Sequence, residues 1–438
     1  MSKHTSRFNK KNNIFLKILS FVVFAFLCLI LIGFIHTQIV AIGLRNYIKS
    51  FDSIEYDYEQ IVPTKEEEGF YTFRTDRDLK VMELTDLHIG AGRWSYKKDK
   101  KTVYEIMTMV QKEKPDLVIL NGDNTFCVPG PMYHGGGTFN NKMGARQVIS
   151  IFETLGVYWT TTFGNHDTEV FDFYNRKQIS NLYESDKYKY CIFESNFDDY
   201  GESNQCILVK NMSGKITKAL MLIDSNAYID NSLSAVINWK YDVVHDNQVE
   251  WAKNTINSLS EKNGEKVKSI FFEHIPVGEF ETAYRELSSN DFNDTANTKY
   301  ISGVWDELID ENMGGRIWYG GCYKTDVEPN DQDKLFEELG PDGIDSMEAM
   351  MCGHDHVNNA VVEYKGVKLM YSYSLDNLAY KGINEYGIQR GAVVFNIKND
   401  GSWTYTYKNC YKDYGADPNK FYKVNTEDYF YDGVKPDK

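Results

Sequence analysis

The chain has 438 residues, with 48 Lys or Arg and 63 Asp or Glu, so its formal net charge is −15. Residues 1–50 contain seven basic residues and no acidic one, and removing this +7 from −15 leaves −22 on residues 51–438. An acidic body argues against nucleic acid as the main partner. The length allows one large domain with insertions.

The first element along the chain is an apolar segment that follows a basic stretch. No formally charged residue occurs between Lys17 and Arg45, and residues 21–35 are unbroken apolar. About 20 mostly apolar residues suffice to cross a bilayer, so we predict a transmembrane anchor at 18–42. A cleaved signal peptide is the alternative, but its apolar region would be shorter. Because the basic residues precede the segment, we expect residues 1–17 in the cytoplasm and the body outside.

The rest of the chain divides by pattern into an extension, a long domain and a tail. Residues 43–78 are predicted to form a stalk or packing extension, 79–410 the main domain and 411–438 a polar tail. Within the domain, strand patterns occur at 80–84, 116–120, 157–161, 219–223, 268–272, 347–352, 360–364, 367–372, 391–397 and 403–407, and helical patterns at 101–112, 146–155 and 248–259. Their alternation predicts a layered α/β fold with parallel strands and a closing antiparallel run. Three polar segments, 126–145, 171–204 and 280–346, are predicted insertions.

Five polar clusters follow the strand patterns in a fixed order. They are Asp86-Leu87-His88, Gly122-Asp123-Asn124, Gly164-Asn165-His166-Asp167, His274 and Gly353-His354-Asp355-His356. Functional groups gather at the carboxyl ends of strands in α/β sheets, so these side chains are expected to share one site. Carboxylate, imidazole and amide ligands suit Mn, Fe, Zn or Ni and are unlike a Cys-based zinc site.

The number of ligands is sufficient for two divalent metal ions, with Asp123 as the natural bridge between them. Two ions about 3.5–4 Å apart can hold both the attacking and the leaving oxygen of a phosphoryl displacement, and a hydroxide between them would be the nucleophile.

These motifs resemble D-x-H, G-D, G-N-H-[DE], H and G-H-x-H of the calcineurin-like metallophosphoesterase superfamily, over about residues 79–400. The GNHD, His274-Ile275-Pro276 and GHDH segments are most similar to the branch of purple acid phosphatases. The resemblance implies a four-layer α/β/β/α sandwich. It also implies one metal at Asp86, His88 and His356, a second at Asn165, His274 and His354, and bridging by Asp123. His166 would assist the leaving group, and Asp167 would orient its imidazole.

Two departures separate the chain from that branch. Phe126 stands where purple acid phosphatases have a tyrosine ligand, so no ferric–tyrosinate colour is expected. His88 stands where that branch usually has a residue that does not bind metal. The Arg-Gly that follows G-D in protein Ser/Thr phosphatases is also missing, which disfavours that class.

The function expected from these residues is hydrolysis of phosphate esters by an outward-facing, membrane-anchored enzyme. A phosphodiesterase acting on nucleotides or lipid head groups is one alternative, and a surface binding protein without turnover is another. His134, Lys324 and Arg390 are weaker candidates for contact with substrate phosphate.

Overall fold

A computed structural model describes residues 2–128, 137–196, 200–229, 232–237, 240–303, 333–356, 358–379, 390–421 and 423. Two β-sheets pack face to face, and helices cover both outer faces. The predicted four-layer α/β/β/α sandwich is therefore confirmed.

The helices and strands are numbered here in chain order. The strands are β1 (Thr64–Lys65), β2 (Tyr71–Arg74), β3 (Leu79–Leu84), β4 (Leu117–Asn121), β5 (Tyr158–Thr162), β6 (Gln205–Lys210), β7 (Ile216–Leu222), β8 (Ser269–Glu273), β9 (Thr298–Ser302), β10 (Met347–Cys352), β11 (Val361–Tyr364), β12 (Val367–Tyr371), β13 (Gly391–Ile397) and β14 (Trp403–Asn409). The helices are α1 (Ser2–Ile48), α2 (Tyr96–Glu113), α3 (Asn141–Leu155), α4 (Arg176–Tyr183), α5 (Leu233–Ile237), α6 (Asp246–Asn263), α7 (Gly278–Ser289) and α8 (Leu335–Leu339).

The smaller sheet has the order β14-β13-β3-β4-β5, and the larger has the order β1-β2-β6-β7-β8-β10-β12-β11-β9. Strands β3, β4 and β5 are mutually parallel, and so are β7, β8, β10 and β12. The antiparallel pairs include β13 with β3, β13 with β14, and β11 with β12. Strands such as β4, with all five residues buried, have the continuous apolar pattern of a strand covered on both faces.

The core between the sheets is formed by side chains from both layers, and the rings of Phe272 and Phe395 meet there with centroids 5.7 Å apart. Helices α2, α3 and α4 cover the smaller sheet, and α6, α7 and α8 cover the larger one. Hydrogen bonds join the two sheets at the carboxyl ends of their parallel strands, because Asn121 donates to the Met351 carbonyl and Thr162 to the Ile223 carbonyl. The predicted convergence point is therefore one edge of the sandwich.

Helices α2 and α3 begin about five residues earlier than their apolar patterns indicate. The first turn of α2, Tyr96–Lys100, is polar and has no apolar residues at helical spacing. A prediction from apolar periodicity therefore does not detect this turn. In α3, the side chain of Asn140 caps the helix by accepting a hydrogen bond from the Met143 N–H. Both additional turns lie at the edge where the strand-end motifs meet.

Helix α1 is continuous over 47 residues, and its part from Ile14 to Ile48 is long and apolar enough to cross a membrane or to serve as a signal sequence. Its large apolar side chains from Ile14 to Ile39 are exposed. Leu44 and Ile48, in contrast, are fully buried against α2 and α3. The last turns of this helix are thus part of the domain core.

The predicted extension and one predicted insertion both contribute strands to the larger sheet. Within residues 43–78, β1 and β2 form one edge of that sheet, with β2 parallel to β6. Within residues 280–346, β9 forms the opposite edge, paired with β11. These parts of the two segments are integral to the sandwich.

Candidate metal centre

The predicted ligands lie directly after strands at the shared edge. Asp86 and His88 follow β3, Asp123 follows β4, His274 follows β8, and His354 follows β10. Four of the predicted ligand residues, Asp86, His88, Asp123 and His354, have positive φ between 48° and 71°. Left-handed backbone is costly for such residues and concentrates at functional sites, where surrounding contacts enforce it.

One group of ligand atoms comes from Asp86, His88, Asp123 and His356, which are all buried and lie within 4.8 Å of one another. The His88 Nε2 atom is 3.2 Å from Asp123 Oδ2, and the His356 Nε2 atom is 3.1 Å from Asp86 Oδ1. We call this group the first subsite. Two carboxylates and two imidazoles at such distances form a donor set that fits a divalent ion.

A second group consists of Asp123, His274 and His354, whose ligand atoms also lie within 4.8 Å of one another. The His274 Nε2 atom is 3.1 Å from the same Asp123 Oδ2 atom that His88 approaches. Asp123 therefore belongs to both groups. We call this group, together with Asn165, the second subsite.

One ligand atom, Oδ1 of Asn165, is buried and has no hydrogen bond to the described residues. Oδ1 of Asp86 and Nε2 of His274 are also buried, and each lies 3.1 Å from an atom of another ligand residue. Buried polar atoms almost always have a partner, and a bound metal ion can be that partner. The Asn165 side chain is oriented by its amide group, which donates to the Tyr228 hydroxyl at 3.3 Å. The residues present therefore fit a metal site.

Glycines before the ligands allow the motifs to approach each other. A Cβ atom on Gly164 would lie 2.2 Å from Asp123 Oδ1, and one on Gly122, where φ is 87°, would lie 2.7 Å from His274 Cβ. Both distances are too short for any side chain, so these positions require glycine.

Asp376 is a functional candidate that the sequence reasoning missed. Its Oδ1 atom is 3.1 Å from Nδ1 of His88, and its Oδ2 atom is 3.1 Å from Nδ1 of His356. One fully buried carboxylate thus contacts both imidazoles of the first subsite on the side away from the ligand atoms. Such contacts fix the tautomer and orientation of metal-binding histidines. The available sequence signal was weak: an Asp five residues after β12, outside the matched motifs.

His166 lies beside the first subsite, with its ring centroid 5.4 Å from that of His88. Its backbone N–H donates to Asp123 Oδ1 at 2.7 Å. We expected Asp167 to orient its imidazole, but the carboxylate that contacts His166 Nδ1, at 2.6 Å, belongs to Glu169. The orienting role that the motif suggested for Asp167 therefore has to be corrected in favour of Glu169.

The Asp167 carboxylate instead holds two turns together. Its Oδ1 atom accepts the backbone N–H groups of Asn124 and Thr125, and its Oδ2 atom accepts that of Gly164. These bonds connect the loop after β4 to the loop after β5. Asp167 therefore stabilises the positions of Asp123 and Asn165 and points away from the imidazole of His166.

Neighbouring charges shift the pKa values of the residues in the first subsite. Burial alone would lower the pKa of His88, but the carboxylates of Asp376 and Asp123 reverse this and raise it to about 10. The pKa of His356 is raised to about 9 in the same way, by Asp86 and Asp376 against the effect of burial. Burial would raise the pKa of Asp123, yet the imidazoles of His274 and His166 hold it well below its usual value.

His354 behaves in the opposite sense, because burial and the neighbouring His274 lower its pKa to about 3. A neutral imidazole presents a free lone pair, which is the form that binds metal. Without a bound ion, the first subsite therefore carries protons that a metal has to displace, whereas His354 does not.

Aromatic side chains line the centre. The Phe126 ring lies 4.8 Å from that of His166 and 5.1 Å from that of His88, between centroids. The Tyr241 ring meets His354 edge to face at 4.6 Å. Phe126 is in contact with the first subsite, but it offers no hydroxyl to a metal.

The weaker candidates fall outside the site or have another role. His134 and Lys324 lie outside the described residues. Arg390 is fully buried, and its Nε donates to the backbone carbonyl of Asp376 at 2.7 Å. It therefore supports the loop that carries Asp376.

Comparison with known proteins agrees with this geometry. The profile of a family described as calcineurin-like phosphoesterase matches residues 79–358, well over half of the chain. The chain belongs to this family. The superfamily recognised from the motifs is thereby confirmed.

Curated relatives are named after the purple acid phosphatase branch. "Probable inactive purple acid phosphatase 28" of Arabidopsis thaliana is 23% identical over 372 residues, covering 77% of this chain and 81% of the relative. "Probable inactive purple acid phosphatase 14" of the same plant is 23% identical over 354 residues, covering 74% and 76%. Both names include the word inactive, so turnover in this chain is a matter for experiment.

Proposed function

We propose that this protein is a metal-dependent phosphoric ester hydrolase with two divalent ions, one in each subsite. The observation that carries the proposal is the shared carboxylate: Asp123 belongs to both ligand groups, and His274 and His88 both approach its Oδ2 atom. Two divalent ions bound there would supply Lewis acidity toward the phosphoryl oxygens and toward water. Mn, Fe, Zn and Ni all accept this mixture of imidazole and oxygen ligands.

In this proposal His166 assists departure of the leaving group. Its Nδ1 atom is held by the nearly buried carboxylate of Glu169 at 2.6 Å, which leaves Nε2 as the atom to donate a proton. General acid catalysis requires such a positioned proton donor beside the departing oxygen. Asp167 contributes indirectly, by holding the loops that carry Asp123 and Asn165.

We also propose that α1 is an uncleaved anchor with the domain on the outer side of the membrane. Basic residues concentrate before the apolar segment and there are no acidic residues in the first fifty positions, so the amino terminus should stay in the cytoplasm. Retention of the helix is supported by Leu44 and Ile48, which are fully buried in the domain.

The test is an assay of the full chain in detergent, supplied with Mn, against aryl phosphate monoesters and diesters. The full chain is preferred because the end of α1 is part of the core. We expect two metal equivalents per chain, turnover of at least one ester class, and loss of activity in Asp123→Asn. A wild-type protein that binds metal but turns over neither ester with any divalent ion would refute the proposal.

The same result would favour a second candidate function, a binding protein that recognises phosphate compounds without hydrolysing them. The names of the curated relatives are the observation that supports it. Against it, all seven predicted ligand residues and His166 are present in this chain.

A further inference from the structure

The direction of α1 relative to α2 is fixed by contacts along both helices. A Cβ atom on Gly43 would lie 3.3 Å from the Tyr96 hydroxyl, and the Lys100 ammonium lies 4.1 Å from the centre of the Tyr47 ring. Gly43 is next to Tyr96, and Tyr47, one turn later in α1, is next to Lys100, one turn later in α2. Helix α1 therefore runs beside α2 in the same direction.

The amino-terminal end of α2 lies at the edge of the sandwich that carries the candidate metal ligands, which we call the metal edge. The Asp99 carboxylate, in the first turn of α2, accepts the backbone N–H of Gly90 at 3.0 Å, and Gly90 is two residues from His88. The part of α1 that precedes Gly43 therefore leaves the domain at the metal edge and continues away from the domain.

The apolar part of α1 begins almost where the helix leaves the domain. Ile42 and Ile39 are 54% and 61% exposed, whereas Leu44 is fully buried. At about 1.5 Å per residue, the polar residues His36 to Gln38 lie only about 10 Å beyond Gly43 along the helix axis. A bilayer that surrounds the apolar segment would therefore have its surface close to the metal edge.

Exposed apolar side chains occur at this same edge. Trp94 is 67% exposed immediately before α2, and Phe173 is 64% exposed in the loop that also carries His166 and Glu169. Val170, in that loop, is 41% exposed. Aromatic side chains in such positions are typical of membrane–water interfaces.

A local basic segment accompanies these apolar residues. Residues 93–101 contain five Lys or Arg and one Asp, although residues 51–438 as a whole carry −22. Arg93 and Lys97 are exposed. Basic residues near a bilayer surface are attracted to phosphate head groups. The basic residues and the exposed apolar residues therefore both favour contact with a bilayer. Together we call Arg93, Trp94, Lys97, Val170 and Phe173 the membrane-facing rim.

From these observations we propose that the substrate is the phosphate ester of a lipid head group in the bilayer that holds α1. This proposal rests on the proposed function and anchor, and it adds the substrate class. It does not depend on which side of the membrane the domain occupies, because the metal edge faces the bilayer in either case. The hydrolysed bond is the P–O bond of the head group, and water supplies the new oxygen and the proton of the leaving alcohol.

The placement is tested without catalysis by attaching a nitroxide to one introduced cysteine at a time in the full chain, with its seven native cysteines replaced by alanine. The protein is reconstituted in phosphatidylcholine vesicles with phosphatidic acid. Trp94→Cys reports on the rim. Met212→Cys is the matched control, since Met212 is 62% exposed on the turn between β6 and β7 at the opposite end of the sandwich. We expect oxygen, which concentrates in lipid, to relax the probe at 94 more than the probe at 212, and an aqueous nickel chelate to do the reverse. Equal, water-like relaxation at both positions would overturn the placement.

The substrate is tested in the same vesicles by release of inorganic phosphate from phosphatidic acid, beside a soluble aryl phosphate and glycerol phosphate. We expect phosphatidic acid in the bilayer to be preferred over soluble glycerol phosphate, which has the same ester. Trp94→Ser with Phe173→Ser should lower the lipid rate relative to the aryl phosphate rate by roughly tenfold. Turnover of the soluble esters but not of the lipid would overturn this inference and leave the proposed function intact. Turnover of none would refute the proposed function itself.

Discussion

Replacing Asp376 with asparagine should weaken the first metal subsite and spare the second. The wild-type carboxylate contacts Nδ1 of His88 through Oδ1 and Nδ1 of His356 through Oδ2. An amide has only one oxygen. Because the Oδ1 position also accepts the backbone N–H groups of Leu378 and Ala379, the amide oxygen should occupy it and the NH₂ group should face His356.

The expected magnitude follows from what this NH₂ group does to one imidazole. A donor facing Nδ1 of His356 favours the tautomer with its proton on Nε2, and that nitrogen then cannot bind a metal. Loss of a carboxylate that orients a ligand typically weakens metal binding about 10- to 100-fold. At about 1.4 kcal/mol per factor of ten, this is about 1.4–2.8 kcal/mol of binding free energy.

The assay is equilibrium dialysis of the chelator-treated full chain against increasing Mn or Zn, with metal counted per chain. Wild type should bind two equivalents, whereas Asp376→Asn should retain one with nearly unchanged affinity. Asp116→Asn is the matched control, because Asp116 is also fully buried and charged but is paired with Arg77 at the opposite end of β4. It should lower the melting temperature without altering either metal affinity.

Equal weakening of both equivalents in Asp376→Asn would refute the reasoning, because the ligand imidazoles that Asp376 contacts among the described residues belong to the first subsite. Unchanged binding of both would refute it as well. A far-UV circular dichroism spectrum identical to wild type is required for either comparison.

Three further predictions follow from the same contacts. Because the pKa values of His88 and His356 are raised to about 10 and 9, protonation stabilises the metal-free fold fully below about pH 6.5, and this stabilisation is lost as the pH rises through 9 to 10. Apparent Mn affinity, measured by titration calorimetry, should accordingly increase from pH 6 to pH 9; a flat profile would contradict these shifts. His166→Ala should lower kcat about 10²- to 10⁴-fold with metal content unchanged, and Glu169→Gln should lower kcat less; loss of metal in either would argue for a ligand role instead. Leu44→Ala should cost about 2–5 kcal/mol of the free energy of unfolding of the domain, measured in detergent with denaturant, whereas Ile39→Ala, at an exposed position of the same helix, should cost almost nothing; equal effects would contradict the packing of α1.

The sequence by itself determined ten of the strands, three of the helices (α2, α3 and α6) and the types of ligand in the candidate site. Apolar runs such as Leu117–Leu120 and Ile270–Phe272 predict buried strands because local periodicity reflects which faces are covered. The motifs supply the ligand types because each is short and contiguous, so their spacing is visible along the chain. The polar first turn of α2 was missed because it has no apolar periodicity to detect.

The tertiary structure alone decided which carboxylate contacts which imidazole. Asp167 is adjacent to His166 in sequence, but the tight turns force its side chain toward the backbone of Asn124, and Glu169 reaches the imidazole instead. Asp376 is far from its two histidines in sequence, and only sheet packing brings them together.

The direction of α1 was likewise decided by tertiary contacts. An apolar segment shows that a helix can enter a bilayer. Its sequence does not show at which edge of the domain the helix leaves. Burial of Leu44 and Ile48 beside α2 fixes that edge, because two helices that pack along their lengths have one relative orientation. The candidate ligands were therefore visible in the local sequence, whereas their orientation and the edge at which α1 leaves the domain required packing between distant parts of the chain.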